Sequence, residues 1–343
     1  MRIDIDTSPP SDWDSYVVRH ANASAYHRAN AVEIGKKAFG LEATFLSCRD
    51  SQARLKGVLP LVEQSSMVFG RFLVSLPFVT YGGPLADDPE TSLELAEGAA
   101  AFARDRGVDH LELRTVAPVL SERFARRTDK VSMILSLPES EKQLEKALGT
   151  KLRSQIRRAA QEEPEIYWGG PELLPEFYRL FALTMHRLGT PVYPISFFDV
   201  VCDALGDQAS VLLVRARGVA AAGAVTVCHG DSIEVPWAAA TDAAKRTAVN
   251  MRLYWEMLRM AIRRGARWFD FGRSSVDSGT YRFKAQWGAQ PRQLHWCYWL
   301  PPGAAIPRLN HGNPKYAVAA AVWRRMPLWC ANAIGPRIAR HLP

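Results

Sequence analysis

The stretch Arg267–Gly288, RWFDFGRSSVDSGTYRFKAQWG, decides how this chain is read. It opens with strand-like alternation: Trp268 and Asp270 fall on one side, Arg267, Phe269 and Phe271 on the other. Gly272 ends the alternation, and a polar, flexible run from Arg273 to Thr280 follows, with Ser274, Ser275, Asp277 and Gly279. The segment YRFKAQW then reads as a short helix that turns Tyr281, Lys284 and Gln286–Trp287 back toward the strand end. A carboxylate, an arginine, a tyrosine and a lysine thus gather on a strand–loop–helix corner, where a rigid scaffold holds loops over a crevice. A plainer reading uses the same residues: Asp270 caps the loop, Arg273 is its surface ion-pair partner, and Lys284 is a solvated helix charge. Spacing alone leaves both open.

Working outward, the corner closes the second of two similar halves. RDRGVDHLELR (104–114) and IRRGARWFDFG (262–272) align at a constant offset, Arg106-Gly107 on Arg264-Gly265 and Leu111-Glu112-Leu113 on Phe269-Asp270-Phe271. In the first half, a helical region at 11–40 with Ser11 or Asp12 as cap precedes strands LEATFLSC, RLKGVLPLVE and RFLVSLPF. The break Tyr81-Gly82-Gly83-Pro84 follows, then a helix from Pro89 that ends at Arg106-Gly107. The second half has helices at 172–188 and 196–205, strands SVLLVRAR, AAAGAVTVC and SIEVPWAA, and a long helix from about Asp242 to Arg264. Each half is expected to end in its own strand closing in Leu-Pro, at Leu137-Pro138 and Leu300-Pro301. The expectation is two α/β units in tandem, 1–145 and 146–303, followed by a helical basic tail, 304–343.

Between the halves, KALGTKLRSQIRRAAQEEPEI places Arg153 and Arg157 at i, i+4, with Lys151, Ser154 and Arg158 on an adjacent face over an apolar stripe of Leu152, Ile156 and Ala159. Such a face is either simply solvated or holds an anion through the bidentate arginine fork. In the tail, Trp323 and Trp329 lie near Arg324, Arg325, Arg337 and Arg340 on two short amphipathic helices broken by Pro327 and Pro336. Packing on the core and contact with a membrane surface both fit that pattern.

Composition sets the bounds. The 343 residues, 48% hydrophobic and 23% charged, describe a globular chain with enough length for two cores. A net charge of +8 points to an anionic partner: a phosphate-bearing substrate, an acidic lipid face or a nucleic acid. No zinc-finger spacing, RNA-binding aromatic signature or basic zipper specifies nucleic acid. Cys48, Cys202, Cys228, Cys297 and Cys330 are scattered and odd in number, which reads as reduced thiols of a cytoplasmic protein with no metal site. The first residues lack the apolar core of a signal peptide, and no run reaches the roughly 18 apolar residues of a membrane span. His229 and His295 fall in strands and read as core or edge histidines.

With these residues in view, FDFGRSSVDSGTYRFKAQWGAQP, the KLRSQIRRA helix upstream and the NPKY and GPRIARHLP tail segments resemble the FemAB-related proteins associated with bacterial exosortase/PEP-CTERM systems. These sit among the Fem-type peptidyltransferases and the GNAT acyltransferase superfamily. The resemblance covers most of the chain and is specific in the second half and tail. It implies two tandem GNAT-like domains, α/β (α+β) with mixed twisted sheets flanked by helices. It further implies transfer of an acyl or aminoacyl group to an amine of a cell-envelope or exopolysaccharide precursor. The donor would be acyl-CoA or aminoacyl-tRNA, with no tightly bound cofactor. Apart from the resemblance, the scattered cysteines and the lack of a signal peptide or span read as a cytoplasmic location, and the tail's tryptophans and arginines leave peripheral contact at the inner membrane open. The lysine of YRFK, Lys284, matches the family position that stabilises charge near the acyl centre.

The chemistry asks for the same groups. An amine attacking an ester or thioester must lose a proton, be oriented, and have its oxyanion stabilised. Lys284 serves as a point charge, Asp270 orients or deprotonates the amine, and Tyr281 donates to the carbonyl or to the leaving group. Arg273 and Ser274 are candidate substrate contacts in the cleft between the units, with the 151–158 helix nearby. Where CoA-binding relatives place a glycine-rich phosphate loop, this chain has TDAAKRTAVNMR, with no glycine; Lys245, Arg246 and Arg252 supply positive charge instead. No coiled-coil arm of the kind found in tRNA-dependent Fem ligases is present, so both donors stay open. The rival class is a non-catalytic scaffold of the same fold that binds a lipid-linked anionic precursor or partner enzymes.

Overall fold

The computed structural model describes residues 1–66, 70–119, 121–307 and 314–342, with backbone alone for 314–316; Asn313 of the NPKY run and residues 308–312 of the tail lie outside the described residues. Along the first half run β1 (Arg2–Asp6), α1 (Trp13–Arg19), α2 (Ala29–Val32), α3 (Ile34–Phe39), β2 (Glu42–Arg49), β3 (Leu55–Ser66), β4 (Gly70–Val74), β5 (Leu85–Ala86), α4 (Pro89–Asp105), β6 (His110–Thr115) and β7 (Ala125–Arg127). Next come β8 (Lys130–Ser136), α5 (Glu141–Ala147), α6 (Thr150–Ala159), β9 (Pro164–Gly169), α7 (Leu174–Leu188), α8 (Ile195–Leu205), β10 (Ala209–Ala216), β11 (Val219–His229) and β12 (Ser232–Ala240). The chain continues through α9 (Asp242–Arg246), α10 (Val249–Arg263), β13 (Trp268–Ser275), α11 (Gly279–Ala285), β14 (Gln290–Gln293), β15 (His295–Trp299), α12 (Pro314–Arg325) and α13 (Leu328–Ala339).

Two compact units result, one of 1–131, 293–308 and 341–343, the other of 132–292 and 309–340. The first sheet runs β1-β2-β3-β4-β6-β15-β7, with β5 on β3; the second runs β14-β8-β13-β12-β11-β10-β9. Read from the β9 end, the second sheet repeats the first place for place. Each holds a parallel pair, β4 with β6 and β12 with β13, preceded by an antiparallel one, β3 with β4 and β11 with β12. The closing strands are exchanged. The strand expected to close the first half, within 131–138, pairs in the second sheet, and the strand ending at Leu300-Pro301 pairs in the first. The alternation of a strand fixes which face is buried but not which sheet it joins.

Local chemistry accounts for the other departures. The helical region at 11–40 is three short helices and a 3₁₀ turn, and Asp12, though placed at the cap of α1, gives its carboxylate to Arg49 at 2.7 and 2.8 Å. The long helix expected from about Asp242 is two, because Ala248 takes a left-handed φ of 66° and ends the first run. By contrast α4 starts and stops as the sequence signals: Asp88 accepts from Thr91 N at 2.7 Å, Pro89 begins the helix, and Gly107 follows it at φ 64°. It buries Leu95, Ala96, Ala99 and Ala103 against Leu46, Leu59, Leu61 and Leu111 of the first sheet. In the second unit, Phe177, Phe181 and Phe198 pack edge-on and stacked with ring centroids 5.2–5.7 Å apart, and Trp237 meets Phe198 at 5.5 Å. All five cysteines are free thiols, three of them buried.

The first sheet buries charge at the end of its parallel pair. Glu112, beside Val74, is 2% exposed; Arg114 Nε donates to it at 2.7 Å and Tyr298 Oη at 2.8 Å. Burial opposes ionisation of this carboxyl, yet Arg114 and Tyr298 outweigh it and hold the group below its usual range. The guanidinium also donates to Val79 O at 2.8 Å and lies 4.7 Å over the Trp296 ring. Removing one member of such a pair strands the other, whereas removing both is nearly neutral. Arg114→Met should therefore cost about 3–5 kcal/mol, and adding Glu112→Gln should restore most of it. Urea unfolding of the two variants checks this, and equal losses in both would sink the account.

Candidate functional site

The corresponding place in the second unit is the Arg267–Gly288 corner. Parallel pairing of β12 with β13 is confined to Ser232–Glu234 and Trp268–Asp270, although β12 runs on to Ala240 and β13 to Ser275. Two features part the strands beyond that point. Pro236 has no N–H to give, and the β11–β12 register slips between Val225 and Val227 beside it, a bulge that bends β12. On the other side Gly272 adopts φ 76°, a conformation costly for any residue with a Cβ.

Asp270 fixes that turn. It is 4% exposed, and its Oδ1 accepts from Gly272 N at 2.7 Å and from Ser132 Oγ on β8 at 2.6 Å. The parting leaves the Gly272 and Arg273 carbonyls without a strand partner in β12. Lys284 Nζ donates to both, at 2.8 and 2.9 Å, from the helix α11. Ser278 starts that helix by accepting from Tyr281 N at 3.1 Å, so its cap sets the turn on which Tyr281 and Lys284 stand. Lys284 is 8% exposed; burial pushes its pKa down to about 8, with Asp270 and Glu234 working against the shift and Arg273 adding to it.

Of the residues singled out in the sequence, Asp270, Arg273, Ser274 and Lys284 meet at this corner. Arg273 directs its side chain outward while its carbonyl holds Lys284. Ser274 is 3% exposed, and its Oγ has no hydrogen-bond partner among the described residues. Tyr281 is half-buried, one turn ahead of Lys284. The plainer reading of Lys284 as a solvated helix charge fails on its burial. Arg153 and Arg157 on α6, with Lys245 and Arg246 on α9, form a separate basic neighbourhood. There Arg158 Nη2 donates to Arg246 O at 2.5 Å, and Asp242 holds Lys245 at 3.8 Å and Arg187 at 2.9 Å.

Two members escaped sequence reading. Glu234 lies beside Asp270 in the ladder and is buried, so Lys284 feels two carboxylates rather than one. Its signal was present: an acid between Ile233 and Val235 in a strand that Pro236 interrupts. Ser132 comes from a distant strand and carried no local signal. Comparison of the two units shows where they differ. Glu112 stands where Asp270 stands, and two residues on, Arg114 occupies the position of Gly272 and fills it. Among the described residues no group of three or more His, Cys, Asp or Glu is arranged to hold a metal ion.

Residues 147–285 match the family model described as an acetyltransferase (GNAT) domain. No curated protein sequence matches the chain. Among solved structures, FemX is similar at a TM-score of 0.66 and 15% identity, over 87% of this chain and 97% of that one. L-PGS from Bacillus licheniformis is similar at a TM-score of 0.54 and 10% identity, over 93% and 97%. A tandem GNAT protein from the clavulanic acid biosynthesis pathway is similar at a TM-score of 0.52 and 11% identity, over 89% and 100%. At such identities the likeness is one of fold. The chain is mixed α/β with a tandem GNAT-like fold, two mixed sheets flanked by helices, and a helical C-terminal region.

The buried lysine has a measurable consequence. Below about pH 8 it is charged in both folded and unfolded chains, and the cost of burying that charge is fully present. From about 8 toward 10.5 the unfolded chain holds the proton and the folded chain has shed it, so stability rises with pH through that window. Relative to Lys284→Met, the wild type should gain up to about 3 kcal/mol across it. Urea unfolding of both proteins at several pH values tests this; a pH-independent difference would refute it.

Proposed function

We propose that this chain is an acyl- or aminoacyl-transferase of the Fem/GNAT kind, of the exosortase/PEP-CTERM-associated type, acting on an amine of a cell-envelope or exopolysaccharide precursor at the cytoplasmic side of the inner membrane. The observation that carries the reading is the buried corner where the parallel ladder stops: Asp270, the left-handed Gly272 and Lys284, inside the segment that matches the acetyltransferase domain. Buried charge beside the parted strands acts at low dielectric, where it is strongest.

In this reading the acceptor amine attacks the carbonyl of a thioester or ester. A C–N bond forms, the C–S or C–O bond breaks, and the amine proton leaves for a base. Lys284 lies with its charge beside the strand end where the carbonyl oxygen would become anionic. Asp270 fixes the Gly272 turn and the charge of Lys284, and Tyr281 supplies a hydroxyl to the leaving group. Ser274, with its buried and unsatisfied hydroxyl, bonds the substrate amide, and Arg273 meets an anionic part of it. Arg153, Arg157, Lys245 and Arg246 hold phosphates of the donor, acyl-CoA or aminoacyl-tRNA. The left-handed Ala248 supports a phosphate there, because it opens a fresh helix N-terminus at Val249 in place of a glycine-rich loop.

The test is transfer itself. Purified protein offered acyl-CoA or charged tRNA, with small amines as acceptors, should show a mass shift on the acceptor. Lys284→Ala and Asp270→Asn should each lower turnover by about a hundredfold or more while circular dichroism stays unchanged. Ser274→Ala should raise KM more than it lowers kcat, since it would remove a contact made in both ground and transition states. Retention of neither donor in native mass spectrometry, with cellular function intact in both corner variants, would overturn catalysis in favour of the scaffold.

A further inference from the structure

We propose that the outward face of the C-terminal helix pair, α12 and α13, seats the second unit on an anionic lipid bilayer. The charge pattern comes first. After Asp277 the sequence contains no Asp or Glu, so every charged side chain of the tail is positive. An ordinary surface helix balances its signs and turns polar residues outward.

The inward faces of the pair are already satisfied. Ala320 and Trp323 are buried, and Gly189 at the end of α7 comes so close that a Cβ there would lie 2.7 Å from Ala320 O. On α13, Ala331, Gly335 and Ala339 recur every fourth residue and are buried; a Cβ on Gly335 would lie 3.1 Å from Val192 N. Trp323, read from the sequence as half of an interfacial pair with Trp329, therefore belongs to the packing side.

The outward residues are apolar where polar ones are usual. Val318 is 65% exposed, Val322 56% and Trp329 75%, with Ile334 and Ile338 each more than a third exposed. Interleaved with them, Arg324, Arg325 and Arg337 are exposed, and none has an ion-pair partner among the described residues. Cations alternating with Trp and branched aliphatics are the composition of a helix lying in the interfacial plane: the apolar groups enter the acyl boundary and the long arginines reach lipid phosphate. No described helix is long and apolar enough to cross a membrane, so the contact is peripheral. The inference stands apart from the transferase reading, because neither Lys284 nor Asp270 takes part in it.

Vesicle flotation of the full chain tests it, with phosphatidylcholine alone, with phosphatidylcholine and phosphatidylglycerol, and with the second mixture at high salt. Binding should appear on the anionic vesicles, be absent on the neutral ones, and fade with salt. Trp329→Ser with Ile334→Ser should weaken it at least about tenfold, as should Arg324→Gln with Arg337→Gln. All four side chains are exposed, so circular dichroism and the unfolding midpoint should not move. Equal binding to neutral vesicles, indifference to both double variants, or no vesicle binding at all would overturn the proposal. Capture by soluble polyglutamate without vesicle binding would assign the face to an acidic protein instead.

Discussion

The second unit depends on how the β12–β13 ladder is made to stop. Parallel strands tend to run on, because each further residue adds a bond and buries more of both chains. Here β12 and β13 exchange partners over three residues only and then part, which leaves carbonyls that must find other donors. The parting is stabilised from three directions. Pro236 withholds a donor, Asp270 binds the amide of a left-handed glycine, and Lys284 reaches across from its helix to the freed carbonyls of Gly272 and Arg273. Each is a local departure from strand chemistry. Together they hold a buried lysine among carboxylates where a closed sheet would have placed ladder bonds.

Duplication followed by divergence gives the same argument in reverse. The first sheet keeps the strand order and keeps an acid at the end of its parallel pair, but Arg114 stands where the second has Gly272. An arginine there satisfies Glu112 at once, stacks on Trp296 and bonds Val79 O, so the position is sealed by good interactions. In both sheets a hydroxyl from the exchanged strand completes the acid's bonding, Tyr298 for Glu112 and Ser132 for Asp270. The acid is thus an architectural feature shared by both units. What differs is what stands beside it: in the second unit a buried lysine and a Ser274 hydroxyl with no hydrogen-bond partner among the described residues.

Much of this was legible because it is local. The alternation of 267–271, the glycine that ends it, the Ser278 cap and the turn back to Lys284 are all written within one stretch, and the offset between 104–114 and 262–272 revealed the repeat. What the sequence hid is what depends on partners far along the chain. Nothing near Ser132 says that its hydroxyl will meet Asp270, and nothing in VSMILS or HWCYW says which sheet each will join. The break at Ala248 was hidden for another reason. Alanine is the best helix former, so a left-handed alanine between two helices is imposed by packing and runs against its own propensity. Glu234 was overlooked because a single acid in a strand looks like a solvent-facing residue until its neighbour is known to be Asp270.

The strand exchange ties these points together. Because β8 lies against β13 in the second sheet, the edge of the strand that carries the candidate site is covered by residues synthesised before α5 and α6. Cutting the chain where the two halves meet in sequence would expose the far side of β13 and remove the Ser132 hydroxyl from Asp270 in one step. An uncovered strand with a broken ladder on one side and no partner on the other has little to keep Gly272 in its strained turn. Ser132 and the β8 residues that follow it belong to the second unit although they precede α5 and α6 in sequence, so the corner of that unit depends on a strand that a cut between the sequence halves would remove.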